Sequence, residues 1–300
     1  MSQNKPNPNE AVTPITQRPT LTETSPDVND AAESAAAKSR TLWREYFESA
    51  VVTLVMALFF MTFVAQAAAV PSASMENTIL VGDHFLINKF IFAHGSHVPF
   101  LPQRDIRRGD IIVFKFPGAT QQTIPGQAPE VEQYKTFFIK RVIGMPGETI
   151  EVRGAQVLID GQPLPEHRVT TAERTQRVRG APLPEASDPP RQNGESPYTA
   201  YYDPQTINPP RGIVENVHPT FQYAVGGRPF VIPDDSYFVM GDNRDDSADS
   251  RQWGVVQRDL VVGRALFVIW SYDESAPKEG NFLINFFRNT RWKRTGTLIR

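Results

Sequence analysis

Residues 135–152 read KTFFIKRVIGMPGETIEV, and this stretch decides the architecture. Its first half has the period of a β-strand: Phe138, Lys140 and Val142 fall on one face, Phe137, Ile139, Arg141 and Ile143 on the other. Met145, Pro146 and Gly147 form a turn signal, and a second strand follows it. The same pattern repeats outward in both directions. DHFLINKFIF (83–92), GDIIVFKFP (109–117), SYFVMGDN (236–243) and GRALFVIWSY (263–272) are short apolar runs bounded by turn residues. QVLIDGQPL (156–164) carries Asp160 and Gly161, a strong two-residue hairpin signal. No internal repeat and no helical pattern of comparable strength appears beyond residue 70. The prediction is a mostly β domain of antiparallel strands.

Upstream lies a different kind of segment. AVVTLVMALFFMTFVAQAAAV (50–70) holds no charge, and only Thr53, Thr62 and Gln66 are polar. As a helix it is roughly 30 Å long, the thickness of a bilayer's hydrocarbon core. Ala65, Gln66 and Ala67 have the small-x-small form of a signal-peptide cleavage site. The run is long for a signal peptide, however, and almost fifty polar residues precede it, so we read an uncleaved signal anchor. Lys38, Arg40 and Arg44 stand just before it, which predicts the N-terminus inside and the bulk of the chain outside.

Composition narrows the chemistry. The chain has 300 residues, 40% hydrophobic, with a formal net charge of -2, which argues against nucleic-acid binding. With no cysteine there are no disulfides, thiolate metal sites or cysteine nucleophiles. The five histidines, His84, His94, His97, His167 and His218, form no zinc motif. GDNRDDSADSR (241–251) fails as a calcium loop, because Arg244 takes the third position after Asp242 and no glycine the sixth. No Gly-x-Ser-x-Gly elbow is present.

A serine with another base remains. Ser72 and Ser74 sit in the PSASM turn (71–75) just after the apolar run, and Lys140 lies in an apolar strand where desolvation depresses its pKa. To act as a base near neutral pH it must titrate roughly 2–3 pH units below an ordinary value of about 10.4, at a cost of about 3–4 kcal/mol. A neutral amine would then take the proton from a serine hydroxyl. On spacing alone, a lysine in an apolar strand more often snorkels from a sheet edge or pairs with a carboxylate than serves as a base.

Taken in order, an apolar anchor, PSASM (71–75), RRGDIIVFKFP (107–117), FIKRVIGMPGE (138–148) and GDNRDDSADSRQWG (241–254) resemble the bacterial type I signal peptidases, membrane-anchored Ser-Lys proteases of the S26 type. The resemblance implies Ser74 as nucleophile, Lys140 as general base, and Ser72 with the Ser74 N–H as oxyanion hole. It implies Ser247 as the hydroxyl that orients the lysine, and Asp249 with Arg251 as a structural ion pair near the site. Val70, Phe138 and Ile139 are the expected walls of shallow pockets for an Ala-x-Ala substrate, which would lie as an extended strand beside Lys140. No cofactor or metal is implied. The implied partners are preprotein signal peptides, the lipid bilayer and the secretion translocon, at the inner membrane with the N-terminus cytoplasmic. One departure is Asn77, where the family usually has proline; an asparagine there is expected to cap the turn by a side-chain bond.

The expected organisation is a disordered tail (1–38), a juxtamembrane segment and membrane helix (39–70), and a catalytic β core in two parts (71–164 and 228–280). A Pro/Gly-rich insertion (165–227) separates the two parts, and a basic-aromatic tail (281–300) follows. Three other readings remain. A self-cleaving repressor would need a DNA-binding helix pair, which residues 1–49 do not offer. A secreted β protein would be cleaved after Ala67. A silent scaffold would lack Ser74 or Lys140, and both are present.

Overall fold

The computed structural model describes residues 28–92, 103–118, 133–172, 181–209, 219–277 and 280–300, with backbone only for 28–42. His94, His97 and His218 lie outside the described residues. The chain divides into two units after Ala57.

The first helix, α1, runs Val28–Phe59. It therefore starts within the segment expected to be disordered to residue 38, where the run VNDAAESAAAKSR is rich in good helix formers. A π-helical turn, Phe60–Val64, ends it, and Ala65 is already extended. Trp43–Val64 is long and apolar enough to cross a membrane, with a mean hydropathy of 2.1. The expected span at 50–70 is thus displaced toward the N-terminus. Near its C-terminal end the chain forms strand β1, Ala65–Ala69, instead of helix. Alanine-rich AQAAA favours a helix by propensity, but pairing with a neighbouring strand overrides it.

Strands β2 (Asp83–Asn88), β3 (Ile111–Lys115) and β4 (Phe137–Gly144) follow. Next come β5 (Thr149–Arg153), β6 (Gln156–Ile159) and β7 (Gln162–Pro163). Asp160 and Gly161 have φ of 50° and 76°, the paired positive values of the hairpin turn that their sequence predicts. The insertion contributes β8 (His167–Thr171), β9 (Glu185–Ser187), β10 (Thr199–Tyr202) and a single helical turn, α2 (Pro204–Ile207). Strands β11 (Phe230–Val231) and β12 (Ser236–Met240), helix α3 (Ser250–Trp253), strands β13 (Val256–Gln257) and β14 (Val261–Ser271), and helix α4 (Phe282–Asn289) complete the order.

Seven strands form the main sheet in the order β1-β2-β14-β3-β4-β12-β13, every neighbour antiparallel. A four-stranded antiparallel sheet, β11-β5-β6-β7, extends the hairpin. The insertion, expected to hold irregular structure and short strands, forms a three-stranded sheet in which β8 and β10 pair parallel. The centre of the main sheet, at β3 and β4, is buried on both faces. Ile112 and Phe114 pack with Val142 and Trp253, while their strand neighbours Ile111 and Val113 pack with Met75, Ile79 and Ile139.

Residues 281–300 were expected as a tail and instead fold back on β14. Asn281 caps α4 by accepting from the Ile284 N–H at 3.0 Å. Phe286 stacks on Trp270, Tyr272 bridges Thr290, and Ile299 is buried in the core beside Met75.

Candidate active site

The turn that carries the serines grows directly out of β1. The Val70 N–H donates to the Asp83 carbonyl at 3.0 Å, continuing the ladder with β2 for one more residue. Pro71 has no N–H to give, so pairing stops there. Ser72 is still extended, and Ala73–Met75 form one turn of 3-10 helix. The Glu76 N–H donates to the Ala73 carbonyl at 3.0 Å and the Ile79 N–H to the Met75 carbonyl at 2.7 Å. Met75, fully buried, anchors the turn in the core, and Ser74 is held at its apex.

Lys140 meets it from β4. Its Nζ lies 2.7 Å from Ser74 Oγ and 3.0 Å from its neighbour's carbonyl, Ile139 O. The Phe138 ring centroid is 5.3 Å away. Only 3% of Lys140 is exposed, and this burial lowers its pKa from 10.5 to about 8, against the opposing pull of the Asp249 and Asp242 charges. Ser72 Oγ is 3.4 Å from Ser74 Oγ. A cleft of about 290 Å³ opens onto this group, lined by Pro71, Ser72, Ser74, Phe138, Ile139 and Lys140 among others. Strand β12 pairs with β4 only from Arg141 onward, so among the described residues the β12-side edge of 137–140 has no partner strand.

The segment 241–251 locks the turn from behind. The Asn243 N–H donates to the Ser74 carbonyl and its side-chain amide to the Ala73 carbonyl, both at 3.1 Å. Gly241 is required here: a Cβ would lie 2.4 Å from the Ser74 carbonyl oxygen and 2.3 Å from Ser247 Oγ. Asp242, with no exposed surface, takes both Nε and Nη2 of Arg141, at 2.7 and 2.6 Å. It also accepts from the Thr78 hydroxyl at 2.5 Å. Asp249 and Arg251 form the expected buried pair at 2.7 Å. Burial pushes the Asp249 carboxyl upward, yet the charge and hydrogen bonds of Arg251 hold it below the ordinary carboxylate range. Arg251 Nη2 also donates to the Arg244 carbonyl at 2.5 Å.

Three expected placements differ. Ser247 makes no hydrogen bond to Lys140; its buried hydroxyl sits over Gly241, in space a side chain would fill. Val70 is not in the cleft beside Ser74. The continued β1–β2 ladder turns it into the core with Met75 and Ile79, at the margin of a separate hollow shared with Val81 and His84. Phe138 and Ile139 do line the cleft. Asn77 does not cap its own turn either, since its side chain bonds Leu183 in the insertion. Sequence reasoning missed Arg141, Asp242, Asn243 and Thr78. The one signal for them is that an arginine in an apolar strand demands a carboxylate partner, which periodicity alone does not locate. Among the described residues no cluster of three or more metal-ligating side chains occurs.

Comparison with known proteins gives this geometry its family. Residues 43–270 match the family described as signal peptidase, peptidase S26. The chain is similar to the signal peptidase I of Leptolyngbya laminosa, 33% identical over 82% of this chain and 88% of that one. It is similar to the signal peptidase I of Aquifex aeolicus at 32%, over 75% and 84%, and to that of Pseudomonas aeruginosa at 29%, over 81% and 77%. The chain belongs to the S26 signal peptidase family. It is a serine peptidase, and its reaction is the removal of signal peptides.

Proposed function

We propose that the chain cleaves translocated preproteins after an Ala-x-Ala-like site through an acyl-enzyme, with Ser74 as nucleophile and Lys140 as general base. The observation that carries this reading is the 2.7 Å approach of a buried lysine amine, its pKa near 8, to a serine hydroxyl at the tip of a fixed turn. In neutral form Lys140 takes the Ser74 proton as Oγ attacks the scissile carbonyl. The oxyanion that forms is met by the Ser74 N–H and the Ser72 hydroxyl. The lysine returns the proton to the leaving amine, then activates a water that releases the acyl group. The substrate adds as a strand along the open edge of 137–140, its small side chains beside Phe138 and Ile139. A buried hydroxyl can turn about one bond, and Ser247 lies between two residues of the cleft wall, Asp246 and Ala248; it is the candidate to orient the amine. Asp249 and Arg251 act by holding this loop in place.

The basic residues before the span support an inner-membrane location with the N-terminus cytoplasmic, where the translocon would deliver substrate. A lipid contact is proposed for α4 as well. Phe282, Leu283, Phe287 and Trp292 are exposed, and residues 281–300 contain no Asp or Glu. Because the chain has no cysteine, a nitroxide on Leu283→Cys reports this site alone. In liposomes of anionic lipid its collisions with oxygen should exceed those with a polar relaxant; the reverse order rejects the lipid contact.

The function itself is tested with detergent-solubilised full chain and a preprotein bearing an Ala-x-Ala site. Wild type should cut at that bond and Ser74→Ala should leave the preprotein intact. Cleavage by Ser74→Ala would mean another nucleophile.

A further inference from the structure

Asn77 stands three residues beyond Ser74 with φ of +71°, in the left-handed region that asparagine tolerates better than most residues. From this position its side chain crosses to the insertion. Oδ1 accepts from the Leu183 N–H at 2.7 Å, and Nδ2 donates to the Leu183 carbonyl at 3.3 Å. One side-chain amide thereby satisfies both backbone groups of a single residue, as an adjacent strand would.

The sequence around Leu183 makes the meeting specific. Pro182 and Pro184 flank it and carry no N–H, so Leu183 offers the one backbone donor of that tripeptide. Leu183 is itself fixed, buried with Val169 of β8 and Tyr201 of β10. Strand β10 also reaches the segment behind the serine. The Tyr201 N–H donates to the Asp242 carbonyl at 2.8 Å, and the Asp203 N–H to Asp245 Oδ2 at 2.8 Å. The insertion therefore grips the Ser74 turn from two sides, directly at Asn77 and indirectly through 242–245.

We propose that Asn77 is a positioning residue for Ser74, and that the insertion, by presenting Leu183 to it, fixes the nucleophile's turn against Lys140. This rests on the reading of Ser74 as nucleophile. A proton transfer over 2.7 Å tolerates little misplacement, and the segment after Met75 has to reverse direction within two residues before Thr78 reaches Asp242. Asn77 supplies both the reversal and its anchor.

Asn77→Gly keeps the left-handed backbone available and deletes both bonds. Asn77→Asp keeps an acceptor for the Leu183 N–H and loses the donor. Leu183→Pro removes that N–H from the other side. In the full chain, kcat normalised to folded protein should fall about tenfold for Asn77→Gly, with KM unchanged, and less for Asn77→Asp. The Asn77→Gly/Leu183→Pro double variant should be no slower than the slower single variant, because both remove one contact. A folded Asn77→Gly with the wild-type kcat, or losses that multiply in the double variant, overturns the proposal. Ser74→Ala in the same assay separates the two claims: residual cleavage there removes the nucleophile assignment. An inactive Ser74→Ala beside a fully active Asn77→Gly removes the positioning role alone.

Discussion

Replacing Lys140 by methionine should lower kcat by roughly 10⁴-fold and, at neutral pH, make the folded protein more stable. The two effects have one cause. Methionine fills nearly the same volume without a base, so Ser74 keeps its proton and the oxyanion donors have little to stabilise. Arginine would do no better, because its guanidinium stays protonated at any pH the protein survives. Stability moves the other way because the fold holds the ammonium form at a penalty. Below about pH 8 both the folded and the unfolded lysine are protonated, and the penalty is present in full. Between about 8 and 10.5 the unfolded chain stays protonated while the folded chain has released its proton, so stability rises with pH. The whole rise amounts to about 3 kcal/mol. Denaturant titrations in detergent at pH 7 and pH 10 should show this increase in wild type and its absence in Lys140→Met. The kcat/KM of wild type should climb along a limb centred near pH 8. Equal slopes of stability with pH in the two proteins would show that Lys140 is not held in a desolvated site.

Removing Arg244 should cost about 3–5 kcal/mol, the second large effect. Arg244 and Glu166 have essentially no exposed surface, and the guanidinium takes both carboxylate oxygens of Glu166 through Nη1 and Nη2. Tyr198 donates its hydroxyl to the same carboxylate at 2.9 Å, and Arg244 Nη1 donates to the Tyr202 hydroxyl at 2.5 Å. Arg244→Met therefore strands a buried carboxylate at the root of the insertion. It also frees the Gly241 carbonyl, to which Arg244 Nε donates at 3.1 Å. A fall in Tm of roughly 10 °C is expected for a domain of this size, with activity lost in proportion to the loosened 241–251 segment. Arg244→Met/Glu166→Gln should recover much of the loss, since it removes the unpaired charge. A single substitution within 1 kcal/mol of wild type would show that water already reaches the pair.

The parts of the fold that were legible in the sequence are those set by local period and turn chemistry. Strand β4 was readable because Phe138, Lys140 and Val142 alternate with Ile139, Arg141 and Ile143. The β6–β7 hairpin was readable because Asp160 and Gly161 accept positive φ. Strand β1 was not, since AQAAA has the composition of a helix and becomes a strand only because β2 offers it a ladder. Ser74 and Lys140 stood out as a serine in a post-anchor turn and a charge in an apolar strand. Their setting did not. Arg141 and Asp242 are 101 residues apart, and Asn77 and Leu183 are 106 apart. Pairings at that separation are fixed by the order of strands in the sheet, and residue type carries no trace of it. Val70 shows the same limit from the other direction: its place beside the PSASM turn suggested a pocket wall, while one added rung of the β1–β2 ladder put it in the core.

The central claim, a lysine held ready as a neutral base beside Ser74, is tested most directly by titrating Lys140 itself. The full chain with 15N-labelled lysine side chains can be followed by NMR from pH 6 to 11, with the Lys140→Met variant identifying the resonance. A lysine titrating near pH 8, absent from the variant, is the predicted result. A Lys140 that titrates near 10.5 with the other lysines would contradict the account.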